Sequence, residues 1–395
     1  MDSNLMSPRT VLIATAAALL ASTADTAHAA DGDGAWTHEI VYTADVIAPL
    51  SGGAAKAGRY LDNLDIIVDG HLEQAVGWRG ATVHAYVLNN MGGRPNDVVG
   101  TLQGVDNIEV AGAKLRLYEL WIEQSLAGGA ASLRAGLYDL NSEFYATEAS
   151  DLLIAPPFGI GSELASTGPN GPSIFPLTSI AARLRVGGEA GGYAQAAVLS
   201  AKAGAFNEPD DLQAGLDRGA ILIGEAGHVG RVRLAAGAWT YTERQGDLRE
   251  VTAAGDPDRS AAYGGYVLGE GRILGKDDGP RSSAFVRVGL SDGDTTPFTG
   301  GWQAGLRWDH VMPDRPDSAF SIGLHQARLS KKYRANLRDA GAAPGKAESG
   351  IEVTYSDAIG RLSVQPDLQI IRHPGGERKR LNAVVAGVRF TLALD

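Results

Sequence analysis

Past the first thirty residues, apolar and polar side chains alternate at a period of two in many stretches and at 3.6 in almost none, which is the signature of strands. From Ser283 to Ser291, one face carries Ala284, Val286, Val288 and Leu290, and the other Phe285, Arg287, Gly289 and Ser291. From Leu362 to Ile370, Leu362, Val364, Pro366, Leu368 and Ile370 oppose Ser363, Gln365, Asp367 and Gln369. From Ile180 to Val186, Ile180, Ala182, Leu184 and Val186 oppose Ala181, Arg183 and Arg185. Runs of this kind predict sixteen strands: 38–48, 61–75, 80–89, 114–125, 132–140, 179–187, 193–201, 220–228, 231–242, 263–273, 283–291, 302–309, 319–328, 350–357, 361–371 and 381–392.

The connectors alternate in character. Those at 90–113, 141–178, 202–219, 243–262 and 329–349 are long and rich in Gly, Pro, Asn and Asp, whereas Gly187–Gly192, Val229-Gly230 and Ala358-Ile359-Gly360 are short. An even strand count with long loops on one rim and short turns on the other is the plan of a bacterial outer-membrane barrel. The fold class expected is all-β: a transmembrane antiparallel β-barrel of about sixteen strands, with short periplasmic turns and long extracellular loops. A soluble β-sandwich also alternates. It would wet its polar face and blunt its edge strands, whereas here Arg and Glu stand in mid-strand opposite small or aliphatic residues, which suits lipid outside and water inside.

The first thirty residues read as a signal peptide: Arg9, an apolar run from Val11 through Ala21, then Ala27-His28-Ala29 as a cleavage signal. Cleavage is expected after Ala29 or Ala30, which leaves 31–395 as one barrel domain. The chain has no cysteine, so an exported protein of this length is expected to draw its stability from a large regular hydrogen-bonded structure. A formal charge of −11 disfavours a nucleic-acid partner. No apolar run of eighteen residues follows the leader, so no spanning helix is expected.

Motifs for chemistry are lacking. The seven histidines beyond the leader form no H-E-x-x-H, there is no G-x-S-x-G elbow, and Phe158-Gly159-Ile160-Gly161 lacks the third glycine of a dinucleotide loop. Asp31-Gly32-Asp33-Gly34 and Ser291-Asp292-Gly293-Asp294 lack the distal Glu of a calcium loop. Neither a metal, nor a cofactor, nor a catalytic residue is expected, and the chain does not read as an enzyme.

Several short stretches, in order, resemble the carbohydrate-selective porins of the OprB type. They are Tyr60-Leu61-Asp62-Asn63-Leu64-Asp65, Gly77-Trp78-Arg79-Gly80, Leu117 through Gln124, Gly136 through Phe144, Phe285 through Gly289, Glu352 through Tyr355, Gln365 through Gln369 and Pro374-Gly375-Gly376. The resemblance implies a sixteen-stranded porin that admits sugars by facilitated diffusion. Barrels of this kind usually finish on an aromatic residue read by the assembly machinery; here Phe390 is followed by Thr391-Leu392-Ala393-Leu394-Asp395, so either insertion is expected to be less efficient or the signal to be read slightly upstream.

If the apolar faces meet lipid, the opposite faces line the lumen. The lining and solute-binding candidates are Glu119, Trp121, Glu123, Arg134, Arg183, Arg185, Arg287, Arg307, Glu352, Gln365, Asp367 and Gln369, with His84, Gln195, Arg231, Arg233, Phe285, Gln303 and Arg389 on the same faces. Charged groups make the stronger hydrogen bonds to sugar hydroxyls, and Trp121 could stack on a sugar's C–H face. Any one of them could instead be half of an ion pair that stiffens the wall. Trp302 and Trp308 share a face with Ala304 and Leu306 and are expected in the interfacial girdles. The loop 141–178, stiffened by Pro156, Pro157, Pro169, Pro172 and Pro176, is the third on its rim, and in porins the third outer loop commonly folds inward. The partners expected are small sugars, outer-membrane lipid and lipopolysaccharide, and the barrel-assembly machinery, in a monomer or homotrimer. Competing readings are an exporter of acidic exopolysaccharide, favoured by the arginines and opposed by Glu119, Glu123, Glu352 and Asp367, and a barrel enzyme such as a lipase.

Overall fold

The computed structural model describes residues 34–205, 218–275 and 279–394; the expected leader lies outside them. Eighteen strands are described: β1 (Trp36–Ser51), β2 (Arg59–His71), β3 (Ala81–Gly92), β4 (Lys114–Leu126), β5 (Ala131–Tyr138), β6 (Ser179–Val186), β7 (Gly191–Ser200), β8 (Ala220–Val229), β9 (Val232–Tyr241), β10 (Gln245–Val251), β11 (Pro257–Ser260), β12 (Tyr263–Gly275), β13 (Arg281–Ser291), β14 (Phe298–Asp309), β15 (Ala319–Leu329), β16 (Ala347–Ile359), β17 (Leu362–Arg372) and β18 (Ala383–Ala393). All but β10 and β11 form a closed antiparallel barrel of sixteen strands, each paired with its neighbours in sequence and β1 with β18. Closure pairs Tyr42 with Leu392 and Asp45 with Arg389, so no strand edge is left without hydrogen-bond partners in hydrocarbon.

Each of the sixteen expected strands is present. β2 stops at His71 rather than residue 75, because Leu72–Val76 turns into a short helix ended by left-handed Gly77. β10 and β11 pair as a hairpin inside the connector expected as irregular loop at 243–262. That hairpin leans on the helix Lys331–Asp339 through Arg249 to Asp339 (2.6 Å), while Asn336 donates to the Leu248 carbonyl (2.7 Å).

The alternation sorts the wall as lipid and lumen require. On β13, Val286, Val288 and Leu290 are exposed on the outer surface while Phe285 and Arg287 are buried inside. On β17, Leu368 and Ile370 face out while Gln365, Asp367 and Gln369 are buried within. Trp302 is exposed on the outer wall and Trp308 packs against Phe320. A one-residue slip in any strand would exchange these faces.

The core of this molecule sits inside the barrel, against loops that enter it. Residues 139–178, between β5 and β6, bring Leu140, Phe144, Tyr145, Ile160 and Leu164 against inward-facing Ala181, Tyr193, Ala197, Ile223, Trp239 and Tyr266. Ala149, Leu153, Ala155 and Phe158 pack on Phe285 of β13. A second loop, 93–113 between β3 and β4, places Val98, Val99 and Val105 against Ile47, Ile371, Ala383 and Val385.

Candidate functional site

Loops buried in a lumen carry backbone donors and acceptors that need partners, and the barrel wall supplies them. Arg287, fully buried, donates to the carbonyls of Tyr145 (3.0 Å), Gly159 (2.7 Å), Pro157 (2.8 Å) and Phe158 (2.6 Å). Glu352 accepts from the amides of Ile154 (2.5 Å) and Ala155 (2.9 Å), and Gln365 donates to the Leu152 carbonyl (2.6 Å). Glu225 accepts from the Tyr145 amide (3.2 Å), and Glu270 from the Ala149 amide (3.1 Å). Arg233 bridges Glu225 (3.3 Å), Glu270 (3.1 Å) and the Ala146 carbonyl (3.0 Å). The loop 93–113 is tied similarly: Glu348 accepts from the amides of Leu102 (2.9 Å) and Gln103 (3.0 Å), and Gln369 donates to the Val105 carbonyl (2.8 Å).

Glycine makes room for this seating. A side chain at Gly289 or Gly301 would collide with the Glu163 carboxylate of the loop, which lies flat on the wall there and accepts from the Tyr145 hydroxyl (2.6 Å). Burial pushes the Glu163 carboxyl above the usual carboxylate range.

The loops therefore cover much of the inner wall from β7 round to β17, where Arg233 and Arg307 keep partial exposure, and leave a further row of inward side chains on β2–β6 in contact with solvent. Asp65, Asp69, His84, Tyr86, Trp121, Glu123, Arg134 and Arg185 are half-buried there. Asp69 lies 2.8 Å from the Nδ1 of His84, whose Nε2 lies 3.7 Å from Glu119. Tyr86 donates to Asp65 (2.6 Å). Arg134 binds Glu123 (2.6 Å), and Arg183 binds Glu143 of the loop (2.8 Å) and Glu123 (3.2 Å). The loops add exposed Asn107, Glu148 and Asp151. Enclosure in the lumen pushes the Asp151 carboxyl up to about 6, with Arg307 opposing and Glu270 and Glu148 reinforcing. Burial, and then the charge of Glu119, raises Asp139 as well.

All twelve candidate side chains stand on inward faces, but they divide into two groups. Arg287, Glu352, Gln365, Asp367 and Gln369 are sealed beneath loops, where a solute cannot reach them. Glu123, Arg134 and Arg185 are half-buried beside the solvent-filled part of the lumen, and Arg185 lies over the Tyr193 ring (4.5 Å). Arg183 is buried in the ion-pair cluster with Glu123 and Glu143, and Glu119 is buried where it accepts from the Asp139 amide (2.9 Å). Arg307 pairs with Asp309 (2.8 Å). Trp121 differs from expectation in a specific way: His84 from β3 stacks on it at 4.7 Å and the Arg134 guanidinium from β5 lies 3.7 Å over its ring. Two groups that close cannot share a face, so neither face is open for a sugar to stack on. Arg231, expected on the inner wall, is exposed in the two-residue turn between β8 and β9. Asp65 and Asp69 were missed, although Asn63, Asp65 and Asp69 alternate with Leu64, Ile66 and Val68 as plainly as any strand in the chain.

The profile of the carbohydrate-selective porin, OprB family, matches residues 55–394. Porin B of Pseudomonas aeruginosa is 22% identical over 403 residues, covering 89% of this chain and 86% of that protein. Among solved structures, the high-pH structure of Pseudomonas putida OprB superposes with a TM-score of 0.81 at 20% identity, over 91% of this chain and 94% of the other. The outer-membrane channel DcaP of Acinetobacter baumannii gives a TM-score of 0.53 at 8% identity, over 91% and 97%. A sixteen-stranded barrel with loops seated in its lumen, matched over this length, belongs to the carbohydrate-selective porin (OprB) family.

Proposed function

We propose that this chain is a passive channel through which small, uncharged carbohydrates diffuse across the Gram-negative outer membrane, along the inner face of β2–β6. The observation that carries the reading is the division of the lumen: the loop 139–178 occupies one side, and the side left open carries carboxylates, a histidine, a tyrosine hydroxyl and guanidinium groups close together. A sugar entering a narrow passage must exchange water for other donors and acceptors, and a wall of both signs offers both. No group there is a deep pocket, as conduction requires. Solute contacts are assigned to Asp65, Asp69, Glu123, Arg134 and Arg185, with Glu119, Trp121 and Arg183 holding them in place; Arg287, Glu352, Gln365, Asp367 and Gln369 fix the loops that set the bore. The carboxylates on the open side oppose a polyanionic cargo. Residues 1–30 serve as the export signal in this reading, the barrel-assembly machinery inserts the barrel, and transport involves no chemical step.

Liposome swelling with the refolded protein tests this, comparing glucose, a disaccharide, an amino acid and an alginate-like acidic oligomer. Glucose is expected to enter fastest and the acidic oligomer slowest. Equal rates for all the small solutes would remove the carbohydrate preference, and hydrolysis of a labelled phospholipid would overturn the passive reading.

A further inference from the structure

The outer wall near the long-loop rim carries charge of a sign opposite to the chain as a whole. On β15 the outward residues run Phe320, Ile322, Leu324, Gln326, Arg328, and on β17 they end Leu368, Ile370, Arg372. Both arginines are exposed. The strand between them, β16, presents only Ala347, paired with Arg328, and Ser349, paired with Arg372. Two ladder spacings and a two-residue offset separate their backbones by roughly 12 Å, and two long side chains reaching across small neighbours can meet at one anion.

Loop cations extend the cluster. The segment 343–346 pairs with 376–378 through the Pro344–Glu377 bridge, which sets exposed Arg378 and Lys379 alongside. Among the described residues, none of these four side chains has a hydrogen bond or an ion pair. Below Arg328 on the neighbouring strand, Trp302 lies exposed opposite Gln326, and aliphatic residues follow. Cations outermost, then an indole, then hydrocarbon is the order of a membrane-water interface read from water to lipid. A chain with formal charge −11 gathers these cations where its wall meets headgroups.

We propose that Arg328 and Arg372, with Arg378 and Lys379, form a docking site on the outer wall for the phosphate groups of a phosphorylated glycolipid of the outer leaflet. Arginine suits the task because its planar fork grips phosphate oxygens in pairs, and the outward direction of the two strand arginines places the ligand beside the barrel rather than in its lumen.

The test uses the full mature barrel refolded in a neutral detergent, its heat-unfolding midpoint followed by circular dichroism against bisphosphorylated lipid A, the same lipid with its phosphates removed, and inorganic phosphate. Only the bisphosphorylated lipid should raise the midpoint at low concentration. The double variant Arg328→Gln/Arg372→Gln should bind it about tenfold more weakly or worse, Arg328→Lys/Arg372→Lys should recover most of that loss, and Arg361→Gln on the opposite rim should bind like the native chain. Equal protection by the dephosphorylated lipid, or by inorganic phosphate, overturns the proposal. So does a double Gln variant that binds lipid normally but shifts the anion-to-cation ratio of the channel, since the cations would then serve solute entry.

Discussion

The inner wall of this barrel has two arcs built from the same alternation and put to different uses. On β13–β17, Arg287, Glu352, Gln365 and Gln369 turn inward and spend their polar atoms on loop backbone; on β2–β5, Asp65, Asp69, Glu123 and Arg134 turn inward and stay wet. The first arc acts as an inner core that holds a plug of chain, and the second is, in the function proposed, the surface a solute would meet. A charged residue facing a lumen thus has no fixed meaning until it is known what else enters the lumen.

The largest expected effect follows from removing the guanidinium at the centre of the covered arc. Arg287→Ala leaves four loop carbonyls without their donor in a buried setting, which costs about 2–5 kcal/mol, and frees the apex of the loop 139–178. A lower unfolding midpoint together with a larger single-channel conductance is expected. A large drop in stability at unchanged conductance would show that the loop is held by its apolar packing alone. Glu352→Gln is the milder version, since an amide can still accept one of the two amides it serves; it should raise conductance less.

Changes on the open arc should do the reverse. Asp69→Asn, at a half-exposed side chain, is expected to leave the stability within about 0.5 kcal/mol of the native chain, and both it and Glu123→Gln are expected to move the reversal potential in a salt gradient toward anions. If Asp69→Asn destabilised the barrel as much as Arg287→Ala does, the distinction between the arcs would fail.

This division also marks what the sequence could and could not disclose. Period-two alternation specified all sixteen barrel strands and the direction of most inward side chains, Arg231 in a turn being an exception, because one face of every strand must meet hydrocarbon and a slip in register would put Arg287 or Glu352 there. It carried nothing about Arg287 meeting the carbonyls of residues 145–159, because that contact joins segments about 130 residues apart and neither has a pattern that names the other. The same holds for the loop 93–113, whose entry into the lumen depends on Glu348 receiving Leu102 and Gln103. Trp121 was legible as inward-facing but not as covered, since its two covers come from adjacent strands whose register a sequence leaves open by a residue or two.

Trp121 itself yields a smaller prediction. Because His84 and Arg134 occupy its faces, Trp121→Ala should change sugar block of the ion current only through their release, so a His84→Ala, Trp121→Ala pair should be far from additive. Additive losses of sugar block would restore direct stacking.

The smallest effect expected is a titration on the rim of the open arc. Asp151 projects from the loop, near Arg307, with its carboxyl raised to about 6 by enclosure. A folded-state value above the ordinary 3.8 means that the folded barrel holds this proton more tightly than the unfolded chain does, so folding is favoured at low pH and that advantage is lost as pH rises through about 6. The same step adds one negative charge to the lumen. Cation preference measured at low ionic strength, where screening is weak, should therefore rise modestly between pH 5 and pH 7.5, and Asp151→Asn should flatten that part of the rise while the native preference of Asp65 and Asp69 persists. An Asp151→Asn channel whose selectivity still climbs over the same interval by the native amount would assign the titration to another group, with Asp139, raised by burial and by Glu119, the next to replace.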